Sequence, residues 1–392
     1  MANGLFGGGD GAESSPFLVE DSQDLNAIRN NLSAHYKQKK NIDLKVIENF
    51  EPIGSYDTPF TGIYDGSNLE INNLKIENEG EYTGFFAVCE GAILKGISIK
   101  NATIKNTGSY TYAAILVGEA SSQTEITDCL VNGVVEVLNS GCSVGGLVSQ
   151  LYNSTINKCA SVNSFLTGFQ VGGLLCYASN ADIQNSYTTG NLTGYSRNAN
   201  SYMGSFATSM YYTTVKNCFS STQFSVDYSG TTNAPIFYPF ANQQWDTTFN
   251  SCYTDTELGG ALPWMPDCYY YSDNIAKGTD GSLYICTNSQ SNVDYEYWDP
   301  AWNETGPPPW WPGPFTRAQP TTGDVWQEYW QEVTSSTLQE GRNTAQMKTK
   351  ANYEDWDFEN IWTIVEGVSY PTFKLKRAIK KCKRVPLTNY RR

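Results

Sequence analysis

The chain has 392 residues, a formal net charge of −14, 17% charged residues and 14% aromatic residues. That acidic balance excludes a nucleic-acid-binding body, which needs clustered Lys and Arg to neutralise phosphate. A single histidine, His35, excludes a multi-histidine metal centre. His35 itself reads as a packing or surface residue, and no metal or cofactor is expected. No apolar run reaches the roughly 18 residues of a membrane-spanning helix, so no membrane span is expected.

Taken in chain order, residues 1–14 form a Gly-rich arm. It lacks the basic start and apolar stretch of a secretory signal, so the expectation is a chain made in a cytoplasm and retained there or carried in an assembly. Residues 15–80 read as an entry segment. Within it a short helix is predicted over Ser22 to Asn31, capped by Ser22, with Leu25, Ile28 and Leu32 on one face.

Residues 81–256 repeat with a period near 30. One anchor recurs as Tyr82-Thr83-Gly84, Tyr112-Ala113-Ala114, Val144-Gly145-Gly146, Val171-Gly172-Gly173 and Tyr202-Met203-Gly204, with a degenerate copy at Ala234 to Tyr238. Aligned on the small residues, it gives two columns: Tyr82, Tyr112, Val144, Val171, Tyr202 and Gly84, Ala114, Gly146, Gly173, Gly204. A second anchor follows, a branched residue with a small one three positions on: Ile93/Gly96, Ile126/Cys129, Ile156/Cys159, Ile183/Ser186, Val215/Cys218 and Phe249/Cys252. Asn, Gly and Ser clusters separate short runs of β formers. The prediction is an all-β fold, a right-handed parallel β-solenoid (β-helix) whose coils carry two or three short strands and stack about 4.8 Å apart. A β-sandwich with coincidental spacing is the alternative.

Ten cysteines raise the question of disulfides or metal. Because Cys129, Cys159, Cys218 and Cys252 share one frame, with Ser186 in the missing rung, they are expected to be a core column of small, reduced side chains. Cys142, Cys176, Cys268 and Cys286 lie off that column.

These motifs resemble the GLUG-motif family, named for Gly-Leu-uncharged-Gly. Gly146-Leu147-Val148-Ser149 and Gly173-Leu174-Leu175-Cys176 match its first three positions and lack its fourth glycine. Ser15-Pro16-Phe17-Leu18-Val19 and Phe60-Thr61-Gly62-Ile63-Tyr64-Asp65-Gly66 resemble its entry segment, and Trp356-Asp357-Phe358, Ile361-Trp362-Thr363-Ile364 and Tyr370-Pro371-Thr372-Phe373 its closing segment, here residues 341–373. The resemblance implies a β-helix of the kind found in phage virion proteins and bacterial surface adhesins, and implies no catalytic activity.

Residues 257–340 interrupt the repeat with a Trp-, Tyr- and Pro-rich insertion. Its candidate contact residues for a protein partner or a glycan are Trp298, Trp302, Trp310, Trp311, Trp326 and Trp330. Capping of the open solenoid end is the competing reading. The run Gly281-Ser282-Leu283-Tyr284-Ile285-Cys286, followed by Tyr297-Trp298, resembles small aromatic β-modules of chitinases and phage tail proteins. Residues 374–392 carry nine basic residues and no acid, so residues 1–373 hold 17 basic against 40 acidic, a net −23. Lys376, Arg377, Lys380, Lys381, Lys383 and Arg384 are candidates for docking onto an acidic surface, that of an assembly neighbour or another copy included; a solvated tail is the alternative.

Glu125 and Asp182 both precede a second-anchor Ile, two coils apart, which places them roughly 9–10 Å from one another. That separation suits an inverting glycosidase pair, but acids on an exposed solenoid face are common, and no catalytic residue is assigned. The expected function is therefore a non-enzymatic structural or receptor-binding component of a phage virion: a tail, fibre or capsid-decorating protein located in the virion. Its expected partners are other virion proteins, itself as an oligomer, and host-surface glycan. The alternative is a cell-surface adhesin or a glycan-cleaving β-helix.

Overall fold

The structure, a computed structural model, describes residues 6–139, 141–195, 201–227, 236–238, 240–244, 246–255, 275–277, 283–286, 330–332 and 341–374. The repeats form a parallel β-solenoid. One coil runs through the strands Ser143–Gly145, Val148–Tyr152, Thr155–Asn157 and Ala160–Gly168. The next runs through Gln170–Gly172, Leu175–Ser179, Asp182–Gln184 and Tyr187–Tyr195. Every strand pairs in parallel with its counterpart one coil on. Two of the sheets are six strands deep, and Ile236–Tyr238 supplies the sixth rung of one by pairing with Tyr202–Gly204.

These coils carry four strands, not two or three, because left-handed residues at two corners isolate a three-residue strand. One corner holds Asn153, Asn180 and Tyr212, at φ +46°, +53° and +48°. The other holds Asp128, Lys158, Asn185, Asn217 and Ser251, at φ +48° to +55°. Asn and Asp tolerate this region because their short polar side chains bond locally, whereas a Cβ with a long apolar stem gains nothing there. Lys158→Asn is accordingly expected to stabilise the fold by about 0.5–1 kcal/mol. It would also join the amide ladder in which Asn217 donates to Asn185 and Asn185 to Asn157. A urea midpoint that fails to rise would count against this account of the corner.

The register corrects the two sequence-derived columns by one residue. Tyr82 pairs with Tyr112, Tyr112 with Ser143, Ser143 with Gln170, and Gln170 with Tyr202. Val144 and Val171 instead line up with Ala113 and Met203. The small column continues through Gly145 and Gly172, not Gly146 and Gly173. A Gly-Gly pair lets either glycine fill a small-residue frame; packing decides between them. A Cβ on Gly145 would lie 1.9 Å from the Val148 carbonyl oxygen, so this glycine makes the corner where two sheets meet. A Cβ on Gly146 would lie 2.2 Å from Ser161 Oγ, so the second glycine faces an interior column of hydroxyls, Ser161, Thr188, Ser220 and Thr254. Where the fourth glycine of the motif is missing, Ser149 fills the place and its hydroxyl donates to the Ser143 carbonyl, 2.8 Å away. The second anchor also shifts in its first copy, where Leu94, not Ile93, pairs with Ile126.

The interior column Tyr36, Tyr64, Leu94, Ile126, Ile156, Ile183, Val215 and Phe249 follows from the pairing, and all but Phe249 are fully buried. Each such side chain contributes about 1.5–3 kcal/mol of burial. At the entry, Ser22–Ala27 is α-helical and Ile28–Asn30 continues as a 3-10 turn. Asp21, not Ser22, caps the helix: its carboxylate accepts from the Gln23 and Asp24 amides.

The closing segment does not sit on the open end alone. Trp356, Trp362 and Phe373 lie across the outward column Ala160, Tyr187, Phe219 and Tyr253, which spans four consecutive rungs. Trp362 is fully buried between Trp356, Tyr187, Phe219 and Phe373.

Candidate functional site

The cysteines follow the coils. Cys129, Cys159, Cys218 and Cys252 are buried, and each sulfhydryl reaches back to a carbonyl of the preceding rung: Leu94, Ile126, Ile183 and Val215. Ser186 occupies the intervening rung, and its hydroxyl receives the Cys159 amide. Cys89, Cys129, Cys142, Cys159, Cys176, Cys218 and Cys252 are all free thiols. Burial pushes the thiols of Cys89, Cys159 and Cys218 well above the ordinary range, and that of Cys176 up to about 11. These thiols should resist alkylation at neutral pH in the native chain and react on denaturation, as read by intact mass. The linkage has a definite sign. The folded thiols stay protonated while unfolded thiols ionise above about pH 8.5, so stability is retained below that value and falls as pH rises through it.

Glu125, Thr155 and Asp182 form one exterior column, with one rung between the two acids. They line a shallow groove with Asn153, Asn180 and Tyr212. Asp182 is held by Gln184, whose amide donates to both carboxylate oxygens at 3.1 and 2.9 Å. His35 lies two rungs before Ile93 in the same column and is half-buried.

A second exterior feature extends the alignment of Tyr82 with Tyr112. Tyr56, Tyr82 and Tyr112 stack along the solenoid, with ring centroids 5.9 and 5.3 Å apart. Tyr152, Tyr177 and Tyr211 continue on the adjoining sheet, at 5.4 Å each. Glu119 sits among them. Burial pushes its carboxyl up, the Tyr82 hydroxyl opposes the rise, and Glu81 and Glu90 add to it. The charge of Glu119 is felt by Tyr82, Tyr112 and Tyr152, so these four residues share one locality. Gln150 accepts from the Tyr152 hydroxyl, and Ser143 donates to Gln170 beside Cys176. The step from Tyr82 to Tyr112 is legible in the first sequence-derived column, whereas Tyr56 lies outside the repeats and Tyr152, Tyr177 and Tyr211 lie in a frame that neither anchor marks.

The insertion is spliced between neighbouring rungs. Thr254 pairs with Gly341 and Asp255 with Arg342, so the solenoid sheet resumes where it was left. Asp255 is fully buried and accepts from Thr344 Oγ1 at 2.9 Å and Tyr370 Oη at 2.6 Å. The Arg342 guanidinium lies 3.4 Å from the Tyr253 ring centroid. Within the insertion, Ile275–Lys277, Leu283–Cys286 and Trp330–Glu332 form a three-stranded antiparallel sheet, unlike the parallel coils. Trp330 begins its third strand. Trp298, Trp302, Trp310, Trp311 and Trp326 lie outside the described residues, as do Lys376, Arg377, Lys380, Lys381, Lys383 and Arg384. Among the described residues no helix is long and apolar enough to cross a membrane.

The chain is thus a parallel β-solenoid, and its coils carry a recognisable motif: residues 167–193 match the GLUG motif family. Halomucin of Haloquadratum walsbyi is 36% identical over 115 residues, covering 26% of this chain and 1% of its own length. A Gly-rich protein of Evansella cellulosilytica, named as a membrane protein, is 28% identical over 123 residues, covering 29% of this chain and 14% of its own. The match therefore spans a small part of each relative. An IgA1 protease structure is similar at 20% identity and a TM-score of 0.47, over 60% of this chain and 19% of that one.

Proposed function

We propose that the protein is a non-enzymatic scaffold displayed on an outer surface, and that it presents residues 256–340 to a partner. One observation carries the reading. The chain leaves the sheet at Asp255 and rejoins the adjacent rung at Gly341, so the insertion is held at both ends by a rigid stack without interrupting it. Loops on rigid scaffolds are where specific contact concentrates, and Trp and Tyr supply large contact area at low conformational cost. A cell surface is the favoured setting, because one relative is named as a membrane protein. A virion is the other setting, supported by the resemblance of the repeats to virion β-helices.

Mass spectrometry of cell-envelope and virion fractions separates the two settings. The contact role is tested by replacing Trp310 and Trp311 together with Ala. A contact role predicts a nearly unchanged melting temperature and a loss of roughly 2 kcal/mol or more of target binding. A lowered melting temperature with unchanged attachment would assign these residues to capping. New reducing ends on incubation with surface polysaccharide, abolished by Glu125→Gln, would replace the scaffold with a glycan hydrolase.

A further inference from the structure

The entry end of the solenoid is closed by its own chain. The first rung, Phe17–Val19, pairs in parallel with His35–Gln38 on one side. On its other side residues 7–12 fold back across a turn, in which the Ser15 amide donates to the Ala12 carbonyl, and run antiparallel to it. The Gly7 amide donates to the Leu18 carbonyl and the Leu18 amide to the Gly8 carbonyl, each at 2.9 Å. The Asp10 and Gly11 amides both donate to the Ser15 carbonyl, and the Gly11 carbonyl accepts from the His35 amide. Phe6 closes the core beneath, its ring stacked on Phe17 at 4.6 Å and lying 5.7 Å from Tyr36. Glycine permits this close fit. Gly9 and Gly11 have φ of +87° and +84°, and a Cβ would run into the Pro16 carbonyl oxygen at the first and the Phe17 ring at the second.

Without the arm, Phe17–Val19 would present unpaired main-chain N–H and C=O groups beside the bared rings of Phe17 and Tyr36. A bare strand edge is a template for pairing with another chain. This edge already accepts an antiparallel strand, the arm. The same edge on a second copy, turned about a two-fold axis, is also antiparallel to it, so two entry edges are self-complementary and their pairing closes as a dimer. We propose that residues 6–12 are a displaceable guard over the entry edge, and that displacing them lets two copies pair through Phe17–Val19. The arm thus holds off an association that the solenoid's own geometry favours. This goes beyond the role of the insertion and does not depend on it.

Gly9→Val and Gly11→Val, combined in the full chain, test the guard by making its docked path impossible. In dilute solution the Leu18 amide should then exchange hydrogen roughly tenfold faster or more than in the parent, while Ile126 and Ile156 keep their protection. As concentration is raised, sedimentation equilibrium should show the weight-average mass climbing toward twice the parent's value and levelling there. Adding Leu18→Lys sets like charges opposite one another at the centre of the paired edges and should return the mass to that of the parent. A double variant whose Leu18 amide exchanges freely but whose mass stays at the parent's would overturn the proposal. So would association that Leu18→Lys leaves intact, or a Leu18 amide that stays protected. Lost protection at Ile126 and Ile156 would make the arm a part of global stability and would overturn it as well.

Discussion

Trp362→Ala is expected to destabilise the protein by about 3–5 kcal/mol. The indole is fully buried and touches aromatic rings of the solenoid face and of the closing segment, with Trp356 at 4.3 Å and Phe373 at 5.0 Å between centroids. Removing it opens a cavity at the point where segment 341–374 is fastened across Tyr187 and Phe219. Trp362→Phe should cost much less. The indole Nε1 is buried and has no hydrogen-bond partner among the described residues, so the phenyl ring relinquishes no bond and sheds a desolvated donor. Guanidinium denaturation followed by far-UV circular dichroism gives both values. An alanine variant within about 1 kcal/mol of the parent would mean that the segment is not docked on this face.

The second large effect falls on Asp255. Asp255→Ala is expected to cost about 3 kcal/mol, because it removes the fully buried carboxylate to which the half-buried Thr344 and Tyr370 hydroxyls both donate. Asp255→Asn keeps one carbonyl acceptor and should retain part of the loss. Burial pushes the Tyr370 hydroxyl up to about 12, and its bond to Asp255 adds to that, so the phenol keeps its proton through the neutral range. The loss should also be local. Hydrogen exchange at Gly341 and Arg342 should accelerate more than at Ile126 or Ile156, since Asp255 ties the returning rung to the coil it left. Uniform acceleration along the stack would show instead that Asp255 contributes to global stability alone.

Much of this architecture can be read in the chain, and the reason is stacking. Each coil meets the same constraints as its neighbours, so the same residue kinds recur at the same frame. Ile126, Ile156, Ile183 and Val215 recur because each fills the interior of one rung. Cys129, Cys159, Cys218 and Cys252 recur three residues later, where only a small side chain fits beneath a carbonyl. The Asn and Asp residues at the corners are equally local, since a left-handed residue costs the same in every coil.

Periodicity reports which residue types repeat, but not how two sheets meet. It could not decide which glycine of Gly145-Gly146 turns the corner; the Val148 carbonyl and the Ser161 hydroxyl on neighbouring strands settle that. It could not gather Tyr82, Tyr112, Glu119 and Tyr152 into one strip, because they come from three coils and two sheets. Nor could it join Asp255 to Tyr370, 115 residues onward. Local pattern in the sequence determined the coil and its period. Contacts between distant segments, whose strength depends on register and burial together, were decided only when the chain closed on itself.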